Sequence, residues 1–139
     1  MKRLIPMMVL GLLPLFFSCK KYVQKQEQNA LEAEVTNGEW YVTGYEQNDS
    51  NITAAFSGYL FKFDANNTVT GTDGNVSASG QWTDNITART ITANFPGATA
   101  PLVYLNETWT ITDSYTDSVS AKAVDPVNHT TNILQLKKQ

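Results

Sequence analysis

One cysteine, Cys19, follows directly on an apolar run, and the chain has no second thiol to pair with it. Lys2 and Arg3 make a positive start, Leu4 to Phe17 an apolar stretch, and Ser18 supplies a small residue at a cleavage position. That is the anatomy of an export signal. The stretch is shorter than the ~20 apolar residues that span a bilayer, and Pro6 and Pro14 oppose a straight helix. An exported chain with a single cysteine has no partner for an intrachain disulfide. Elsewhere the residues of catalysis are thinly spread. His129, the only histidine, stands between Asn128 and Thr130 at a final turn and reads as a solvated loop residue. Asp64, Asp73, Asp84, Glu107, Asp117 and Asp125 occur singly, most of them in turns, where aspartate caps the backbone. Paired acid–base work therefore has little support. Neither a G-x-S-x-G elbow, an H-E-x-x-H helix nor a Walker loop is present. Asp64 with Asn66, and Asp73 with Asn75, lack the glutamate that closes a twelve-residue calcium loop, and read as hairpin turns. These residues point away from an enzyme, a metal site and any cofactor.

Ten basic against 13 acidic residues give a net charge of −3. Loss of residues 1–18 removes Lys2 and Arg3 and leaves 8 − 13 = −5. This balance excludes the basic stripe that nucleic acid requires. The segment Leu15-Phe16-Phe17-Ser18-Cys19 resembles the bacterial lipobox. The resemblance implies a diacylglyceryl thioether on Cys19, cleavage before it, and acylation of the new amino terminus. One acyl chain holds only reversibly, whereas two or three anchor stably. The membrane partner is thus reached through lipid on Cys19.

Behind these residues the chain divides into a signal peptide (1–18), a lipidated tether (19–37) and one domain (38–139). Lys20 to Gln28 is polar, and a flexible stalk is the preferred reading of the tether. Leu31 and Val35 share a face at i, i+4 spacing, which allows a short helix over 29–35 before Asn37-Gly38 ends it. From Glu39 the period changes to two. Val76, Ala78, Gly80 and Trp82 alternate with polar residues, as do Tyr59, Phe61 and Phe63, then Ile91, Ala93 and Phe95. Trp109 with Ile111, and Val119 with Ala121 and Ala123, repeat the pattern. Such alternation marks antiparallel strands with one wet face. Eight are expected, near 39–47, 56–64, 67–73, 75–83, 89–95, 101–112, 117–124 and 130–137, linked by turns such as Asp73-Gly74-Asn75. The expected fold is all-β, an eight-stranded antiparallel up-and-down barrel, because closure removes exposed edges. A two-sheet sandwich is the other arrangement.

Gly38-Glu39-Trp40, opening the first strand, is similar to the G-x-W motif of lipocalins. Phe56-Ser57-Gly58-Tyr59-Leu60-Phe61-Lys62-Phe63, Ser79-Gly80-Gln81-Trp82 and Leu105-Asn106-Glu107-Thr108-Trp109 extend the likeness over residues 38–137. Together with the lipobox, the chain resembles the small lipocalin-like lipoproteins of Bacteroidetes. The resemblance implies an eight-stranded barrel with an apolar pocket at one mouth. Lipocalins stack a late arginine over that first tryptophan. Here the last arginine is Arg89, and Lys137 is the cation placed to stand in. Surface-exposed lipoproteins of these bacteria tend to carry acidic residues shortly after the cysteine, whereas this chain has Lys20-Lys21-Tyr22-Val23. The periplasmic side of the outer membrane is the expected location.

Seven rings fall on inferred inward faces: Trp40, Tyr59, Phe61, Phe63, Trp82, Phe95 and Trp109. They are the candidate lining of a cavity for a small apolar or amphipathic ligand, and equally the residues that fill a barrel core. Tyr41, Tyr45, Tyr104 and Tyr115 fall on other faces or near turns. With loops 48–55, 96–101 and 113–117, they offer the alternative of contact with an envelope protein or a glycan.

Overall fold

The last strand of the chain returns to pair with the first, and that seam decides the architecture. In a computed structural model describing residues 17–139, with side chains from Lys25 onward, helix α1 (Phe17–Thr36) leads into β1 (Trp40–Gln47) and the two-residue β2 (Ser50–Asn51). Then follow β3 (Tyr59–Phe63), β4 (Thr68–Asp73), β5 (Val76–Asn85), β6 (Thr90–Asn94), β7 (Thr108–Tyr115), β8 (Ser118–Val124) and β9 (Thr131–Lys138). β3 to β9 pair in chain order, and β1 pairs with both β3 and β9. Every pairing is antiparallel, so eight strands close into a barrel, and β2 only folds back on β1. A sandwich is thereby excluded. The seam with β9 runs from Trp40 opposite Lys138 to Gln47 opposite Asn132, while β1 meets β3 only at Trp40 opposite Phe61. The apolar run before Phe17 and the Cys19 side chain lie outside the described residues; the backbone at Cys19 is helical.

The registers give the barrel two distinct ends. Trp40, Lys138, the turns at 64–67 and 86–89 and the β7–β8 hairpin share the end next to α1, called here the near end. The far end carries the β1–β2 and β4–β5 hairpins and the long connections 95–107 and 125–130. Turn chemistry is local. Asn67 takes φ +67°, a left-handed conformation that asparagine tolerates, and its N–H bonds Asp64 O at 3.0 Å.

Four expectations need correction. The stalk is a helix: Val35 is buried, and Leu31 packs partly buried against the core, so apolar anchoring outweighs the polar stretch before it. The strand expected over 101–112 is a 3-10 turn (Leu102–Leu105) followed by β7. Leu102 and Leu105, three apart, share one face of that turn and both are buried, while Pro101 has no N–H for a ladder. A second 3-10 turn, Thr53–Phe56, replaces the start of the strand expected at 56 and buries Phe56. Val76, placed on the inward face, lies 67 % exposed at the tip of the β4–β5 hairpin, past the barrel rim.

The three tryptophans do one job in common. Each is inward and at most 3 % exposed, and each indole N–H donates to a backbone carbonyl of a neighbouring segment outside the strands. Trp40 Nε1 bonds Val35 O at 3.0 Å, Trp82 Nε1 bonds Asp64 O at 3.0 Å, and Trp109 Nε1 bonds Leu105 O at 3.1 Å. Helix α1, the 64–67 turn and the 95–107 connection are thus each pinned by one buried ring. A buried indole must satisfy its N–H, and each does so on a carbonyl with a lone pair to spare: Asp64 O also accepts from Asn67 N–H and Leu105 O from Glu107 N–H.

Candidate functional site

Side chains from all eight barrel strands meet along the axis but do not quite fill it. A cavity of about 70 Å³ remains, and all of its lining side chains are apolar. Of the seven rings expected there, Trp40, Phe61, Phe63, Phe95 and Trp109 line it. Tyr59 and Trp82 do not. Tyr59 stacks on Phe61 (5.9 Å between centroids, 15°) towards the far end, and Trp82 meets Phe63 edge-on (5.6 Å, 87°) beneath the 64–67 turn. The remaining walls include Val35, Ile91, Ala93, Val119, Ala121 and Leu134. The same alternation that picked the rings could have found these strand residues, and the i, i+4 pair on α1 carried the signal for Val35. A dry cavity of 70 Å³ forgoes about 2 kcal/mol of packing. It is well below the ~300 Å³ at which sites for drug-sized ligands begin.

A second space lies beside it. Between α1 and the β7–β8 hairpin runs a groove of about 640 Å³, walled by Ala30, Leu31 and Glu34 on one side and by Ser114, Tyr115, Thr116 and Asp117 on the other. Val35, Trp40 and Val119 belong to both spaces.

Among the described side chains, the helix that forms the groove's wall is held by Val35, Leu31 and Glu34, and by the Trp40 indole bond to Val35 O. Val35 is buried, worth about 1.5–3 kcal/mol, and Leu31 is half-buried. Lys138 Nζ pairs with the Glu34 carboxylate and sits 5.1 Å from the centroid of the Trp40 ring. Lys138, rather than Lys137, is therefore the cation over the first tryptophan. Strand alternation explains the difference, because Lys137 lies opposite Tyr41 on the outward side of the seam.

Tyr45 also departs from expectation. A register shift between Val42 and Gly44 turns the following residues by one position, so Val42 and Tyr45 both face inward. Tyr45 is fully buried, stacks on Phe56 at 5.2 Å and meets Trp109 edge-on at 5.8 Å. Its hydroxyl donates to Tyr104 O at 2.6 Å. Of the four tyrosines offered as surface contacts, Tyr41 and Tyr115 are exposed, Tyr104 is half-buried, and Tyr45 is core. Burial pushes the Tyr45 phenol well above its ordinary range, and nearby Glu107 and Tyr104 push it further. Burial raises the Glu107 carboxyl as well, helped by the charge of Asp125.

The Tyr45 hydroxyl sets a pH limit. Above pH ~10 the unfolded chain releases this proton while the native state keeps it, so the native state binds more protons and stability falls as pH rises. Tyr45→Phe is expected to lower stability by about 1 kcal/mol at neutral pH, through the lost bond to Tyr104 O. It should also remove up to about 1.4 kcal/mol per pH unit of alkaline loss. Urea melts at neutral pH and above the tyrosine range check both.

Among the described residues, no group of three or more His, Cys, Asp or Glu side chains comes together to hold a metal ion. What the interior offers is apolar contact, with carboxylates only at the groove's rim.

No family model matches the chain, and no curated protein matches it significantly. Solved structures do, these two among them. One is a DUF4847 family protein from Bacteroides vulgatus, 19 % identical, with a TM-score of 0.54, covering 78 % of this chain and 99 % of that one. The other is Japanin from Rhipicephalus appendiculatus, solved bound to cholesterol, 8 % identical, with a TM-score of 0.52, covering 76 % of each chain. At such identities the likeness establishes architecture alone, and that architecture is the lipocalin-like antiparallel barrel of eight strands.

Proposed function

We propose that this chain is a non-enzymatic envelope lipoprotein, anchored through Cys19, whose barrel binds a small apolar or amphipathic molecule. The observation that carries this reading is the wholly apolar axial cavity that shares three wall residues with a larger groove. A core selected only for stability gains by closing such a void. Japanin's cholesterol supports the reading by analogy of fold, which is a weaker warrant than the site itself. The lipobox-like segment and the absence of acidic residues just after Cys19 support the periplasmic side of the outer membrane as its place.

Filling the cavity tests the proposal. Ala121 is buried and lines the void, and leucine there adds roughly the missing volume. With the mature chain, residues 19–139, a neutral straight-chain probe such as dodecanol, whose end is narrow enough for the cavity, should bind at least about tenfold more weakly to Ala121→Leu than to the parent, a difference of about 1.4 kcal/mol. The melting temperature should hold or rise, because a filled void recovers dispersion contacts. Equal affinity in a folded variant would remove the interior from the ligand's path and with it this function.

A further inference from the structure

Charge is spread unevenly between the two ends of the barrel, and the far end has neither lysine nor arginine. Its segments, residues 46–58, 73–76, 95–107 and 125–130, hold Glu46, Asp49, Asp73, Glu107 and Asp125, with His129 as their only basic side chain. Among the described residues none of these carboxylates is in a salt bridge, whereas Asp64 and Glu34 at the near end are each paired with a lysine. We propose that the far end docks a polypeptide segment that combines basic and apolar side chains. This surface is separate from the apolar-ligand reading above and does not depend on it.

An unmet acceptor marks the middle of that face. Asn132 is 8 % exposed and belongs to the inward set of β9, between exposed Thr131 and Ile133, yet its Oδ1 has no hydrogen-bond partner. It lies opposite Gln47 on one side and Ala123 on the other, at the far-end lip of the seam. A buried amide oxygen is rarely left alone in a native protein, so one at a mouth points to a donor supplied from outside. Glu107 stands two residues before inward Trp109, and Asp125 two residues after inward Ala123, so both come to the same mouth one step further out. Burial and the charge of Asp125 hold the Glu107 carboxyl above its usual range. A cation seated between them relieves that repulsion.

Apolar surface surrounds these acceptors. Val76, Val103 and Val127 stand exposed in three of the four far-end segments. A single exposed valine needs no explanation. Three of them around one mouth, beside unpaired carboxylates, make a rim wider than a small cation covers. A polypeptide carrying both kinds of side chain covers it, and a bilayer of anionic head groups is repelled. Helix α1 packs at the near end through Val35 and Glu34, which leaves the far end clear.

Two peptides of about ten residues, one alternating lysine with valine and one alternating glutamate with valine, test the face on the mature chain at low salt. The basic peptide should bind at least about tenfold tighter than the acidic one, and raising the salt about tenfold should remove most of the difference. Asp49→Asn combined with Asp73→Asn, both exposed, should weaken the basic peptide about threefold, while Asp117→Asn at the near end leaves it unchanged. Asn132→Leu separates binding from structure. Its melting temperature should hold or rise, because the orphaned acceptor is gone, while the basic peptide binds about threefold more weakly. Should that variant melt lower, the Asp49 and Asp73 pair carries the test. Equal affinity for the two peptides overturns the proposal, and so does a double variant that binds like the parent. Spermine binding as tightly as the basic peptide would make the mouth a small-cation site and overturn it too. The Ala121→Leu result decides the barrel reading separately, because Ala121 lines the interior and not this face.

Discussion

Replacing Gly80 by alanine is expected to cost the barrel about 3 kcal/mol, the upper range for forced overpacking. Gly80 is buried on the inward face of β5. A methyl group there would run into the carbonyl oxygen of Asn94, a backbone atom, and would press the Phe95 ring at 3.0 Å. Neither neighbour has room to yield. Asn106 clamps the Phe95 backbone from the other side, accepting from its N–H at 2.6 Å and donating to its carbonyl at 3.2 Å. The missing side chain is what lets the end of β6 cross over β5 and deliver Phe95 into the barrel, where it lines the cavity. In urea the midpoint should fall by about 2 M with an unchanged slope. Gly74→Ala is the contrast. Nothing lies within 4 Å of a methyl group there, yet φ is +60°, so only the left-handed penalty of about 1 kcal/mol applies. A Gly80→Ala variant no worse than Gly74→Ala would show that β6 can move off, and that the crossing does not depend on this glycine.

Gly80 also shows how far the chain's pattern reaches. Its place on the inward face beside Trp82 follows from alternation alone, but its necessity does not, because the atom it makes room for lies on another strand. The same limit explains the other departures. Alternation through β1 predicts Tyr45 outward, and one bulged residue between Val42 and Gly44 reverses it. A bulge leaves little trace in residue types. Lys138 rather than Lys137 reaches Trp40 for a similar reason, since the final register is set by pairing along the whole β1–β9 seam. Leu102 and Leu105 did carry a signal, three apart and followed by polar residues. It was absorbed into a strand because Trp109 and Ile111, just beyond, alternate so cleanly. Five of the seven rings line the cavity because inward facing is a two-residue repeat. Whether an inward ring meets a void or another ring depends on packing across the barrel, as Trp82 and Tyr59 demonstrate. The groove was invisible beforehand, since it exists only where α1 docks beside the β7–β8 hairpin.

Trp109 joins stability to the cavity, and its truncation gives the second large effect. It is 3 % exposed, takes the edge-on contact with Tyr45, lines the void and donates to Leu105 O. Trp109→Ala is expected to lower stability by about 4 kcal/mol, typical for loss of a buried large ring. Trp109→Phe keeps most of the apolar contact and loses only the indole bond, since Leu105 O still accepts from Glu107 N–H at 2.8 Å, so about 1 kcal/mol is expected. The two variants should share a change in dynamics. In both, hydrogen exchange should rise across 102–107, where the indole bond pins the connection, and hardly at the β1–β9 seam. Ligand binding should respond in the opposite direction to stability. Trp109→Ala adds the ring's volume to the existing 70 Å³, bringing the void to the order of the ~150 Å³ apolar cavity that admits benzene. Benzene or xenon should then raise the melting temperature of Trp109→Ala more than that of the parent, by mass action on the native state alone. If neither ligand stabilises the variant while it remains folded, the walls have collapsed inward. The barrel interior would then be too pliant to hold the shape of a site, and the parent's void would be a packing remainder rather than a binding cavity.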